Sequence, residues 1–195
     1  MKRKGVWAGV ALIVMMAVGG VGWYQQQLTA GVDGGPVGGP IELPSTRGEF
    51  SLEHLDDDQL AVLFFGYTHC PDVCPMSLAV VRQALTELEP TQRERLVPLM
   101  VSLDPERDSL ARLEEYLAFF GERFIGATGS TAQLEELAGR YGVVWRKVDA
   151  PDSAMNYTID HSSSLYLVDR EGEIQRRVLY SPSHRGLLAA LHETL

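Results

Sequence analysis

The sequence predicts an α/β domain in which helices flank a central mixed β-sheet. Two unbroken apolar runs, "LAVLFFGYT" (60–68) and "LVPLMVSLD" (96–104), have the length and composition of strands buried on both faces. Segments with helical apolar spacing lie between and after them. Towards the C-terminus, two strand-like stretches joined by a short turn precede a last helix, and strands that alternate with helices before such a closing hairpin form a mixed sheet.

Each element has its own signal. "EFSLEHL" (49–55) reads as an edge strand. After Cys74, the residues Leu78, Val81, Leu85 and Leu88 recur at steps of three and four and mark one face of a helix. "SLARLEEYLAFF" (109–120) and "TAQLEELAGRY" (131–141) read as two more helices, the second opened by a capping-box pair, Ser130 and Gln133. "VVWRKVDA" (143–150) is strand-like. Strands over 163–168 and 173–179 are joined by a turn at Arg170 to Gly172, and "HRGLLAALHETL" (184–195) is helical. A βαβ start with cysteines at the strand-to-helix junction is the layout of a thioredoxin-like fold, which we place over residues 41–195.

Two segments precede that domain. Lys2, Arg3 and Lys4 stand before a run of about nineteen uncharged, mostly apolar residues from Gly5 to Trp23, close to the ~20 that span a bilayer. A cleaved signal peptide usually has only ~7 to 15 apolar residues, so residues 1–27 read as a basic tip and an uncleaved transmembrane anchor. The cations stay on the cytoplasmic side and the rest of the chain is exported, with Trp23 and Tyr24 at the far interface. A single pass through a bacterial inner membrane, with the domain in the periplasm, is the expectation. Residues 28–40, "LTAGVDGGPVGGP", are too rich in Gly and Pro to pack regularly and read as a flexible tether.

The chain carries a formal charge of −9, more negative still once the N-terminal cations are set aside. An acidic domain repels phosphate backbones, which argues against nucleic acid as a partner and for a cation or a basic protein surface.

The chemistry centres on "FFGYTHCPDVCP" (64–75), which holds the only two cysteines. A helix starting near Pro71 or Asp72 puts Cys70 at its lip and Cys74 in its first turn, where free N–H groups and the helix dipole favour thiolates. Residues four apart share a helix face, so the two sulfurs converge. Three readings are open. A structural disulfide closes too short a loop to stabilise the fold much. A redox dithiol usually has two intervening residues rather than three. A soft-metal site suits two thiolates, which favour copper when an imidazole joins them.

Of His54, His69, His161, His184 and His192, we single out His161 in "YTIDHSSSLYLVD" as the third ligand, because the loop before the following strand should face the cysteine-bearing helix start. A solvated loop histidine is the alternative. His69 is expected to point away or to tune thiolate charge, and the other three are expected at the surface. Asp72 reads as an N-cap or a helix-dipole partner. Asp104 is a candidate to line the site, with Pro105 and Asp108 as turn and helix-start residues. Asp160 is a candidate to orient His161 by a hydrogen bond. Met155 reads as loop packing, and the 150–160 segment as the loop that moves on metal uptake.

"GYTHCPDVCP", "VSLDPERDS" and "YTIDHSSSLYLVDREG", in that order after one membrane anchor, resemble the Sco/SenC family of copper-binding cytochrome c oxidase assembly proteins. The resemblance spans residues 41–195; Arg170 stands where many relatives have proline. It implies one copper, Cu(I) or Cu(II), held by Cys70, Cys74 and His161. It also implies delivery of that copper to the Cu(A)-bearing subunit of the oxidase, or reduction of that subunit's cysteines, with other copper chaperones or thiol reductants as further partners. The expected function is therefore a metallochaperone rather than an enzyme in the turnover sense. The alternatives are a thiol-disulfide oxidoreductase or thiol peroxidase using a redox-active Cys70–Cys74 disulfide, and a copper or redox sensor.

Overall fold

Alternating side chains of a fully buried strand supply both layers of the core. The computed structural model describes residues 35–151 and 155–195. Strand β3 (Leu60–Gly66) is buried at every position. Its Leu60, Val62 and Phe64 enter one apolar cluster, and Ala61, Leu63 and Phe65 enter another on the opposite face. That division follows from the two-residue period of a strand with helices on both sides.

Strand β4 (Leu96–Ser102) lies parallel to β3, with Phe64 opposite Met100. The other strands are β1 (Glu42–Ser45), β2 (Gly48–Ser51), β5 (Ile125–Ala127), β6 (Trp145–Ala150), β7 (Asn156–His161), β8 (Leu165–Val168) and β9 (Ile174–Val178). Seven of them form one mixed sheet in the order β2-β1-β5-β4-β3-β8-β9, while β6 and β7 pair as a separate antiparallel ribbon. The helices are α1 (Val73–Glu87), α2 (Pro90–Glu94), α3 (Leu110–Ala118), α4 (Thr131–Arg140) and α5 (Arg185–Thr194).

The predicted apolar stripe of α1, Leu78, Val81, Leu85 and Leu88, is buried in the first cluster together with Leu113 and Leu117 of α3 and Leu187 and Leu191 of α5. Leu134 and Leu137 of α4 seal the second. The capping box at Ser130 and Gln133 is formed in full.

Several sequence expectations need correction. The edge strand placed at 49–55 ends at Ser51, and Leu52–His54 form a 3-10 turn whose cap is the Ser51 hydroxyl. Strands β1, β5 and β7 and the short helix α2 carry no clear periodicity. β5 has three residues, and β7 reads as polar because one face of the ribbon is solvated. Residues 36–40, assigned to the tether, lie against the domain: the Val37 and Gly38 N–H groups donate to the Arg140 carbonyl, and the Gly39 N–H to that of Gly172. Gly172, with φ of +84°, leaves no room for a Cβ, which would sit 2.3 Å from the Gly39 carbonyl. The compact unit accordingly begins at Pro36. The anchor predicted for residues 1–27 lies outside the described residues.

Candidate metal centre

The β3–α1 junction presents the first two donors. Helix α1 starts at Val73 with Asp72 as N-cap, so Cys74 is its second residue and Pro75 its third, where a missing N–H breaks no helical bond. The chain between Gly66 and Asp72 curls so that the Cys70 Sγ accepts the free Cys74 N–H at 3.4 Å. Cys70 is half-buried, Cys74 is fully buried, and both are free thiols.

The cysteines differ in charge. A hydrogen bond from the Cys74 thiol is the main cause that holds the Cys70 thiol well below its ordinary range, at about 4; His161 and the Asp72 and Cys74 N–H groups help, against the opposing effect of burial. Cys74 is pushed in the other direction, first by donating that bond, then by burial and by the Cys70 charge beside it. In the metal-free protein one negative charge therefore resides on Cys70, with Cys74 as its donor.

The third donor comes from the ribbon. His161 is the last residue of β7, paired with Trp145 of β6, rather than a loop residue as the sequence suggested. Its Nε2 lies 3.4 Å from the Cys74 Sγ, and its Nδ1 is 2.9 Å from the Ser162 carbonyl. The Ser162 carbonyl at Nδ1 sets the ring so that Nε2 is the nitrogen aimed at the sulfurs, in place to serve as a ligand. Phe64 and Tyr67 meet the imidazole edge-on, with ring centroids 6.2 and 6.0 Å away, and restrict its tilt. One donor atom each from Cys70, Cys74 and His161 lies within 4.8 Å of the others. Two sulfurs and one imidazole nitrogen at that spacing are a donor set for one soft ion such as copper.

The supporting acids behave differently from expectation. Asp160 does not orient His161: its carboxylate accepts from Arg146 at 2.9 Å, and the Ser162 carbonyl does the orienting. Strand alternation explains this, because Asp160 points to the solvent side when His161 points inward. Asp104 is buried but does not reach the cysteines; its carboxylate accepts from Arg107 Nε at 2.5 Å and from the Tyr157 hydroxyl at 2.7 Å. Asp72 is exposed, and its side chain makes no cap bond, so its contribution is the backbone N–H that faces Cys70.

Asp108 was underrated by its place in a turn motif. Fully buried, it accepts the Thr68 N–H at 2.8 Å, the Thr68 hydroxyl at 2.6 Å and the Ser102 hydroxyl at 2.6 Å. It thereby pins the loop that carries Cys70. His69 turns its Nδ1 towards Thr68 Oγ1 (3.1 Å) and Asp108 (3.6 Å). His69, Asp104 and Asp108 also converge, but both carboxylates are already occupied by donors, one of them the Arg107 cation. His184, expected at the surface, is half-buried and lies 2.8 Å from Glu87, which links α5 to α1; His54 and His192 are exposed as expected.

This arrangement can be set beside known proteins. The SCO1/SenC family model matches residues 30–195. The chain belongs to the SCO1/SenC family. Among relatives, an SCO2-like protein of Rickettsia conorii is 32% identical over 155 residues, covering 80% of this chain and 75% of the relative. Among solved structures, Arabidopsis thaliana ScoI with copper bound superposes with a TM-score of 0.71 at 30% identity, over 81% of this chain and 97% of that one. Bradyrhizobium japonicum ScoI, also with copper bound, gives 0.70 at 31% identity over 82% and 99%. BsSco, described as a member of the Sco family of cytochrome c oxidase assembly proteins with a disulfide switch, gives 0.60 at 22% identity over 82% and 95%, a likeness of fold. The thioredoxin-like α/β architecture of this chain is thus the family's.

Proposed function

We propose that this chain is a copper metallochaperone that takes up one Cu(I) or Cu(II) through Cys70, Cys74 and His161 and passes it on during assembly of the Cu(A) centre of cytochrome c oxidase. The observation that carries the proposal is the convergence of two sulfurs and the His161 Nε2 within 4.8 Å. Each donor has a role. Cys70, already charged, makes the first bond to an arriving ion; Cys74 loses its proton to complete the thiolate pair; the His161 Nε2 closes the third side. Cu(I) is satisfied by three such ligands, whereas Cu(II) takes a further one.

Release proceeds by ligand exchange with thiols and imidazoles of the acceptor. Cys70 and His161 are only half-buried, which leaves the ion open to attack from one side. The partner is the Cu(A)-bearing subunit of the oxidase, with other copper chaperones or thiol reductants upstream. The anchor over residues 1–27 holds the domain on the periplasmic face of a bacterial inner membrane. This placement rests on the charge and hydropathy of the N-terminal segment.

The low-lying Cys70 thiol supports a second reading, thiol-disulfide exchange. Its thiolate attacks a substrate disulfide, one substrate sulfur leaves as a thiol, and Cys74 resolves the mixed disulfide to give a Cys70–Cys74 disulfide and a fully reduced substrate.

Titration of the full-length chain with Cu(I) and Cu(II), beside His161→Ala, separates the two. The chaperone reading expects one copper per chain, with affinity lowered and the Cu(II) sulfur charge-transfer bands altered in the variant. Copper binding indifferent to His161, with dithiol exchange intact, supports exchange instead.

A further inference from the structure

We propose, building on the copper site described above, that Arg107 is the positioning residue that keeps the β7 strand, and with it the His161 imidazole, at ligating distance from the cysteine pair. The ribbon β6–β7 stands outside the seven-stranded sheet, so no sheet ladder fixes its distance from α1. Polar contacts of side chains and backbone bind β7 to the core: the Tyr157 hydroxyl donates to Asp104 at 2.7 Å, and the His161 Nε2 meets the Cys74 Sγ at 3.4 Å. The Tyr67 hydroxyl oxygen accepts the Ile159 N–H at 3.3 Å. Arg107 makes the largest attachment: its Nη1 donates to the carbonyls of Met155 (3.0 Å) and Tyr157 (3.2 Å). Its guanidinium also stacks on the Tyr157 ring at 3.6 Å from the centroid.

The local backbone is shaped for this grip. Asn156, between the two carbonyls, has φ of +59°, the left-handed conformation that asparagine tolerates better than most residues. That turn lets carbonyls two apart in sequence reach one nitrogen. From Tyr157, strand alternation carries the clamped face through Ile159 to His161, so a rotation or lift at Tyr157 is transmitted to the imidazole.

Arg107 is itself held. Its Nε donates to Asp104, whose other oxygen accepts the Tyr157 hydroxyl, so one carboxylate aligns the guanidinium and the ring it covers. Its neighbour Asp108 grips the cysteine loop through Thr68. A single turn after β4 thus fastens the His161 side of the site with one residue and the Cys70 side with the next.

The test uses the full-length chain in detergent, wild type, Arg107→Ala, Arg107→Lys, His161→Ala and the double variant Arg107→Ala/His161→Ala. Cu(I) affinity is read by competition with a chromophoric chelator, and amide hydrogen exchange by mass spectrometry on the metal-free protein. Arg107→Ala is expected to weaken Cu(I) binding by about 10- to 100-fold, the usual range for a residue that orients a ligand. It is also expected to speed exchange over residues 156–161 while leaving 60–66 and 96–102 unchanged. Arg107→Lys, with one charge and no stacking plane, falls between, and supplies the comparison if Arg107→Ala does not fold. In the His161→Ala background, loss of Arg107 should change copper affinity little. Wild-type affinity in both Arg107 variants overturns the inference, as does an equal loss whether or not His161 is present. Copper binding that ignores His161 itself overturns the site reading beneath it, and is told apart because it shows in the single His161 variant.

Discussion

Removing the Asp108 carboxylate should loosen the fold more than any surface substitution, by an amount that can be worked from its contacts. Asp108→Ala strips three donors of their acceptor: the Thr68 N–H, the Thr68 hydroxyl and the Ser102 hydroxyl, all within 2.8 Å of its oxygens. Hydrogen bonds to a charged acceptor contribute about 1.5–3 kcal/mol each, so the unrelaxed sum exceeds 4 kcal/mol. Both hydroxyls can rotate to other partners; Thr68 Oγ1 has the His69 Nδ1 at 3.1 Å. The amide cannot turn, and a buried orphan N–H costs about 1–3 kcal/mol. With partial relaxation of the rest, a net loss of about 3–4 kcal/mol is expected, or roughly 10 °C in Tm for a chain of this size. Asp108→Asn keeps an oxygen for the Thr68 N–H and the Ser102 hydroxyl and should lose only about 1–2 kcal/mol. Thermal and urea unfolding of the full-length protein, followed by circular dichroism, reads both values. A loss below about 1 kcal/mol for Asp108→Ala, or an Asn variant less stable than the Ala variant, would refute the three-donor account.

Two further outcomes concern the site directly. Alkylation of the metal-free protein by iodoacetamide should proceed at Cys70 down to mildly acidic pH and fail only as pH falls through about 4, with Cys74 protected by burial and by its raised pKa. Because Cys70 ionises lower in the fold than in an unfolded chain, its stabilising contribution is absent well below pH 4, grows as pH rises, and is complete only above the ordinary thiol value of 9.0; a reactivity midpoint near that value would contradict the assigned charge. Gly66→Ala places a methyl 2.5 Å from the Phe64 ring and 3.0 Å from the Cys74 Sγ. Overpacking of that kind costs about 1–3 kcal/mol, so both unfolding free energy and Cu(I) affinity should fall, and unchanged Cu(I) affinity would show that the sulfur has room to shift.

Much of the donor set was legible because it is local. Two cysteines four apart at a strand-to-helix junction lie within one turn of chain; Cys70 stands before the helix rather than on its face, and the loop returns its Sγ to the Cys74 N–H. The buried strands β3 and β4 announced themselves as apolar runs, and α1 by its spacing of Leu78, Val81 and Leu85. His161 was reachable only by assuming a topology, since it lies 87 residues from Cys74. Even then its setting was misjudged. β7 has the polar sequence of a loop, and it is a strand only because β6 pairs with it along six residues. Asp160 was proposed as the histidine's partner from adjacency, but neighbours on a strand face opposite ways, and Arg146 across the ribbon claims it.

By itself, then, the chain's order of residues determined an α/β core and a pair of neighbouring cysteines at a strand-to-helix junction, because each depends on spacing within a few residues. Tertiary structure alone decided that Cys70 carries the charge while Cys74 keeps its proton, that the Ser162 carbonyl rather than Asp160 faces the imidazole nitrogen, and that Arg107 and Asp108 brace the two halves. These depend on burial and on distances between segments far apart in the chain, and a linear pattern of residue types contains neither.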